Sequence, residues 1–193
     1  MAPDSHPLVA AIRAGLSAAA DPARAKGAQA YMKSEMPFRG VPSPEQKRLW
    51  REVFAAHPLE TRAKWQRAVL ELWRTATFRE ERYAAVGLAQ DRRYLSYRTP
   101  AVIPMLEEMI VNGAWWDYVD ALASHPLGDV LVADPARVSR LMRRWARRLR
   151  RLGTLLAAML WQAAGWSAAI SPTILTWDWT AVRRILPMEA RSP

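Results

Sequence analysis

The stretch Asn112-Gly113-Ala114-Trp115-Trp116-Asp117-Tyr118-Val119-Asp120 holds the most unusual set of side chains in the chain. It reads as a helix start after Gly113. On a helix, residues four apart share a face, so Trp116 and Asp120 stand together. Trp115, Val119 and Leu122 fall on another face and read as core. Asp117 lies in the first turn, where the helix dipole favours negative charge, which is a structural role. An indole beside a carboxylate suits one class of reaction. Cleaving the bond between a sugar and a cationic base builds positive charge on the sugar, and a nearby carboxylate stabilises it. The electron-rich indole face attracts a cationic ring. An alkylated purine already carries its positive charge and leaves without being protonated. The same spacing also fits a tryptophan packed at a helix crossing beside a solvated aspartate.

Other chemistry finds little support. His6, His57 and His125 each precede a proline, lie far apart and lack metal-ligand spacing. The absence of cysteine excludes disulfides and thiolate metal sites. Phosphate-loop, dinucleotide and nucleophile-elbow motifs are missing. The expectation is therefore of a site without metal or other cofactor.

The second notable feature is basic. Arg137, Arg140, Arg143, Arg144, Arg147, Arg148, Arg150 and Arg151 fall in one expected helix, and no acid occurs from Pro135 through Trp177. Arg140, Arg144, Arg147, Arg148 and Arg151 share one side at three-and-four spacing. Such a stripe would grip a phosphate backbone with strong salt dependence. A solvated basic face is the plainer alternative, but like charges at this spacing repel. The net charge of +10 also favours a polyanionic partner. Arginine over lysine follows in part from a GC-rich coding bias, which leaves the excess of base over acid unexplained.

The elements that must position these residues are helices. Apolar residues recur at three and four, as in Leu8-Ile12-Leu16 and Leu49-Val53-Phe54, and β-type alternation is scarce. Asp21-Pro22, Ser43-Pro44, Thr99-Pro100, Asp134-Pro135 and Ser171-Pro172 each set a capping side chain before a proline suited to the first helical turn. Ser43 with Gln46 and Thr77 with Glu80 fit capping boxes. Helices are expected over 6–19, 22–34, 44–56, 58–74, 78–93, 100–112, 114–124, 135–151, 154–165 and 173–186. Short helices with short connections predict an all-α fold, an α-solenoid of stacked antiparallel pairs, with a compact orthogonal bundle as the competing architecture. Between the second and third helices, Gly40 and the prolines Pro37 and Pro42 enforce an irregular loop. Phe38 and Val41 should anchor it, and Arg39 either reaches a phosphate or is solvated.

Length and composition set the outer bounds. With 193 residues, 51% of them hydrophobic and 24% charged, the chain suits a single globular domain. No apolar run reaches about 18 residues, so no spanning helix and no membrane partner are expected. The first residues do not read as a secretory signal, which points to the cytoplasm.

Two motifs carry a family resemblance. Ala30-Tyr31-Met32-Lys33 followed by Pro37-Phe38-Arg39-Gly40-Val41-Pro42-Ser43-Pro44 resembles the N-terminal signature of the bacterial AlkD-type DNA alkylation repair proteins. Trp115-Trp116-Asp117-Tyr118-Val119-Asp120 resembles their W-W-D-x-V-D motif. The order and separation agree, and the resemblance covers about residues 20 to 145. It implies a curved stack of HEAT-like helix pairs whose concave basic face holds duplex DNA. It further implies a monomeric DNA glycosylase that excises positively charged N3- and N7-alkylated purines without a metal or cofactor and without flipping the base into a pocket. Asp120 would be the catalytic carboxylate and Trp116 its partner against the damaged nucleoside. Tyr31, Lys33 and Arg39 of the first motif would lie on the DNA side, with Arg144, Arg147, Arg148 and Arg151 gripping phosphates.

The chain departs from that pattern beyond about residue 145. Leu156 stands at a family arginine position, ahead of a retained Ala158-Met159-Leu160, and Gly165-Trp166 arrives about one helix pair before the family's later tryptophan. Residues 161–193 hold four tryptophans and only two acids, Asp178 and Glu189. A shifted frame or truncation of the gene is the expectation there. One HEAT-like domain is thus expected over 1–193, family-like over 1–145 and divergent over 146–193. A DNA-binding module of the same fold that has lost catalysis is the alternative to an active glycosylase.

Overall fold

The structure, a computed structural model, describes residues 6–113, 115–138 and 140–141, with the backbone alone for Trp116. All regular elements among the described residues are helical, so the fold is all-α, as a HEAT-like helical repeat protein requires. The chain forms two compact units, one ending at Tyr97 and the other beginning at Arg98.

The first unit contains α1 (Pro7–Ala18), α2 (Pro22–Met32), α3 (Ser43–Ala56), α4 (Arg62–Arg74) and α5 (Arg79–Gln90), followed by a 3₁₀ segment, Arg92–Tyr97. Its core follows the helical period. Helix α1 buries Leu8, Val9, Ile12 and Leu16. Helix α4 buries Trp65, Ala68, Val69, Leu72 and Trp73, a broad apolar stripe. Of the Leu49-Val53-Phe54 stripe, only Phe54 is fully buried. Close approach is built in at two glycines: a Cβ at Gly15 would stand 2.3 Å from Leu49 Cδ1, and one at Gly87 would stand 2.8 Å from Trp50 Cε3. Helices α4 and α5 pack on each other, and α1 packs against α3, α4 and α5.

Helix α2 is the exception, since none of its side chains is buried. It begins as expected, with Asp21 accepting the backbone N–H groups of Ala23 at 2.9 Å and Arg24 at 3.1 Å. It ends at Lys33, which adopts the left-handed conformation with φ 47°. The loop after it packs on the start of α2: Asp21 N–H donates to Arg39 O at 2.8 Å. Gly40, at φ +80°, lies so close that a Cβ would stand 2.2 Å from Asp21 O. Only glycine satisfies both the conformation and the contact.

The second unit contains a 3₁₀ turn, Pro100–Val102, then α6 (Ile103–Gly113), α7 (Trp116–Leu122) and α8 (Gly128–Ala133). Helices α7 and α8 are one helical run joined through a π-type turn, Ala123–Leu127, where Gly128 N–H donates to Ala123 O, five residues back. Pro126 lies inside that turn. A proline within an α-helix clashes with the carbonyl four residues earlier, and the wider register relieves that clash. After Asp134, which caps Arg137 N–H at 3.0 Å, residues 135–138 and 140–141 are helical, with Val138 and Leu141 buried.

Several expected boundaries move. Helix α4 starts at Arg62, and residues 58–61 are not helical: Tyr94 and Tyr97 take both backbone polar groups of Leu59, Tyr94 Oη accepting its N–H at 3.2 Å and Tyr97 Oη donating to its carbonyl at 3.3 Å. Ser43 is the first residue of α3 and not its cap; Gln46 Nε2 instead donates to Val41 O at 2.7 Å. The expected Thr77/Glu80 box does not form: Phe78 is the N-cap of α5, Glu80 is taken up by Arg39 and Gly40, and Thr77 N–H donates to the Glu81 carboxylate at 3.2 Å. Most of the expected helix 135–151, and all of 154–165 and 173–186, lie outside the described residues.

Candidate functional site

Helix α7 owes its orientation to one apolar face. Tyr118, Val119 and Leu122 are each at most 1% exposed, and α6 packs against this helix. Val119 and Leu122 are core, as the helical pattern predicts. Trp115 stands just before the first turn as the N-cap residue and is half-buried. Tyr118, read only as a motif spacer, is a core residue. At about 100° per residue, position 120 lies nearly opposite the centre of the 118/119/122 face, and position 116 stands about 40° round from position 120. Asp120 is exposed, and among the described residues no side chain forms a hydrogen bond or ion pair with it. Trp116 stands one turn earlier in the same helix; its indole lies outside the described residues.

Asp117 fills the place the dipole argument gives it. It is the acid of the first turn, and its Oδ1 accepts Tyr118 N–H at 2.9 Å. The two aspartates of the motif thus have separate environments: Asp117 serves the helix terminus, and Asp120 faces solvent from its last turn. Beyond the π turn, the buried guanidinium of Arg98 pairs with Asp129 on α8, tying the far end of the helical run to the start of the unit. Sequence reasoning missed this pair, whose members are 31 residues apart.

Of the arginine run, Arg137 and Arg140 are described, and both are exposed. They line a cleft together with Glu107, Ile103, Pro104 and Leu141. Arg144, Arg147, Arg148 and Arg151 lie outside the described residues.

In the first unit, Tyr31 is 82% exposed at the end of α2, and Lys33 is exposed beside it. Arg39 is placed differently. Its Nη2 is 3.4 Å from the fully buried Glu81 carboxylate, and its guanidinium lies 3.9 Å over the Phe78 ring. The fork is engaged within the unit and not solvated. Val41 is a buried anchor, as expected, while Phe38 is only half-buried, 6.4 Å from the Tyr83 ring.

Among the described residues, no group of three His, Asp or Glu side chains could hold a metal ion, and no helix is long and apolar enough to cross a membrane.

A sequence model of one family, DNA alkylation repair enzyme, matches residues 12–162. The chain belongs to that family. The match takes in both signature motifs, the π turn and the whole arginine run, and it continues past residue 145 through Leu156 and Ala158-Met159-Leu160. It stops before Gly165-Trp166. No curated protein matches the chain. As a member of the alkylation-repair enzymes, the protein acts in repair of alkylated DNA, and DNA is its partner.

Proposed function

We propose that this alkylation-repair protein is a DNA glycosylase that removes positively charged N3- and N7-alkylated purines from duplex DNA. The observation that carries this reading is Asp120. Its carboxylate is exposed on the outer side of a helix whose opposite face is locked in the core. A carboxylate in that setting can approach a ligand that buries it, and desolvation then strengthens its effect on nearby positive charge.

The chemistry follows from charge. The glycosidic C1′–N bond breaks with its electron pair passing to the cationic base, which leaves neutral. Positive charge develops on C1′ and the ring oxygen, where Asp120 stabilises it. Water then adds at C1′ and loses a proton. No general acid is required, since the leaving group is neutral. Trp116, on the same helical side, offers its indole face to the charged nucleoside. Tyr31 and Lys33, both exposed, and the arginines of the 137–151 run supply contacts to the duplex. Arg39 supports α2 by holding the loop that follows it. In this reading the protein acts as a monomer in the bacterial cytoplasm, on nucleoid DNA.

Release of 7-methylguanine from methylated duplex DNA tests the reading. Asp120→Asn should lower release by about two to three orders of magnitude while leaving duplex affinity intact. Full release by Asp120→Asn removes the assignment. One observation favours a second reading: Leu156 stands where the family places an arginine. Salt-sensitive duplex binding with no release by the unaltered protein would establish a DNA-binding member that has lost catalysis.

A further inference from the structure

The first unit contains a buried ionic cluster that the proposed chemistry does not use. Arg79, Glu80 and Glu81, at the start of α5, are 4%, 0% and 0% exposed. Burying charge is costly unless each group is paired and hydrogen-bonded, and what these three hold is the loop after α2. Glu80 accepts Arg39 N–H at 2.9 Å and Gly40 N–H at 2.8 Å. Glu81 takes the Arg39 guanidinium at 3.4 Å and that of Arg13 at 3.3 Å. Arg79 N–H donates to Pro37 O at 2.9 Å, and its Nη1 donates to Ser34 Oγ at 3.3 Å.

The loop in turn holds α2. That helix buries no side chain, so packing alone does not fix it. Its links run to the loop: Asp21 N–H to Arg39 O at its start, Ser34 N–H to Gln29 O and Gln29 Nε2 to Ser34 O, both at 3.2 Å, at its end, and the close seat of Gly40 on Asp21 and Ala25. The exposed Tyr31 and the left-handed Lys33 lie at that end.

We propose that Glu80 is a positioning residue for DNA binding: by fixing the backbone of Arg39 and Gly40 it sets the place of α2, and so of Tyr31 and Lys33 against the duplex. This rests on the reading of α2 as a DNA-contacting element and deepens it. A carboxylate suits the task because it accepts two adjacent N–H groups at once. An amide with its oxygen in the place of Oε1 keeps that atom's bonds to Arg39 and Gly40 N–H, at 3.0 and 2.8 Å, but loses the negative charge and turns its NH2 toward Arg39 N–H, which Oε2 accepts at 2.9 Å.

The test is a double-mutant cycle read as affinity for an undamaged duplex, together with hydrogen exchange of α2. Glu80→Gln should weaken duplex binding roughly tenfold, the scale set by losing a charge-assisted hydrogen bond. It should also speed amide exchange across 23–33. Tyr31→Ala with Lys33→Ala should weaken binding by a similar factor. Adding Glu80→Gln to that pair should then cost nothing more, since it acts through those contacts. An equal further loss in the Tyr31/Lys33 background overturns the proposal, as does unchanged exchange in α2. Ser34→Ala removes the Arg79 Nη1 bond to the loop together with the bond from Ser34 Oγ to Met36 O, leaves Arg79 N–H on Pro37 O and Glu80 in place, and covers the case in which Glu80→Gln does not fold: it should shift affinity and α2 exchange in the same direction, more weakly, and no shift in either overturns the proposal. If Tyr31→Ala with Lys33→Ala binds like the unaltered protein, α2 does not contact DNA and the proposal falls. Because Asp120→Asn is read by base release and not by affinity, failure of the glycosylase reading is seen separately.

Discussion

At the scale of single residues, the signature motif contains two aspartates three positions apart with opposite duties. Asp117 accepts a backbone N–H in the first turn of α7, where the helix dipole adds to the hydrogen bond. Asp120 has no described partner and meets solvent. The difference predicts different phenotypes. Asp117→Ala should lower stability by about 0.5–1 kcal/mol, the usual worth of an acid at a helix N-terminus, while base release per folded molecule stays at its original level. Thermal unfolding and release assays on one preparation measure both quantities. A loss of release by Asp117→Ala comparable to that of Asp120→Asn, with stability unchanged, would reverse the two assignments. Tyr118 belongs to the same lesson. Within the motif it reads as a spacer, yet it is as buried as Val119, because a seven-residue helix needs a third anchor to fix which side faces outward.

At the scale of elements, helix type and order were legible in the sequence because apolar spacing and capping residues followed by proline act locally. Asp21 and Asp134 cap as their residue types require. What was not legible depends on partners distant in sequence. Residues 58–61 read as helix because Pro58 suits a first turn, but Tyr94 and Tyr97, more than 30 residues away, take the backbone N–H and carbonyl of Leu59. The helix expected over 114–124 ends short of Pro126, yet the run continues through it in the wider π register. Arg39 reads as a phosphate contact or a solvated cation, and its buried partner Glu81 lies in α5, 42 residues further along the chain. The start of α1 carries a pH prediction of its own. His6 Nδ1 accepts Leu8 N–H at 3.2 Å, which requires a neutral ring nitrogen. Burial lowers the His6 pKa below its usual 6.5, against the attraction of Glu71, which raises it. A depressed histidine binds its proton more readily in the unfolded chain, so this contribution is complete above pH 6.5 and is lost as pH falls from 6.5 through the lowered folded value. His6→Asn keeps a capping oxygen that does not titrate. Between about pH 7.5 and about pH 5.5, either side of the histidine range, the unaltered protein should lose more melting temperature than His6→Asn. Equal losses would remove His6 from the account.

At the scale of the whole molecule, charge was the most legible property and leads to the same partner as the family match. The 28 basic residues exceed the 18 acids by ten, and a DNA alkylation repair enzyme works on a polyanion. The distribution is as informative as the sum. No acid falls between Pro135 and Trp177, a span that holds eight arginines. The two described arginines of that run, Arg137 and Arg140, are exposed and form no ion pair with any described residue. Cations left without acidic partners release counterions when they meet phosphate, so binding should weaken steeply with salt. The logarithm of the duplex association constant should fall linearly with the logarithm of salt concentration, with about 0.9 of slope for each phosphate neutralised. Replacing Arg137 and Arg140 together by glutamine should make the slope shallower by about one to two. The loss should be uniform across duplex sequences, since phosphate contacts carry no base information. Affinity titrations at a series of salt concentrations measure both effects. An unchanged slope in the double variant would mean that these two arginines face solvent in the complex, and that the duplex is gripped by other cations.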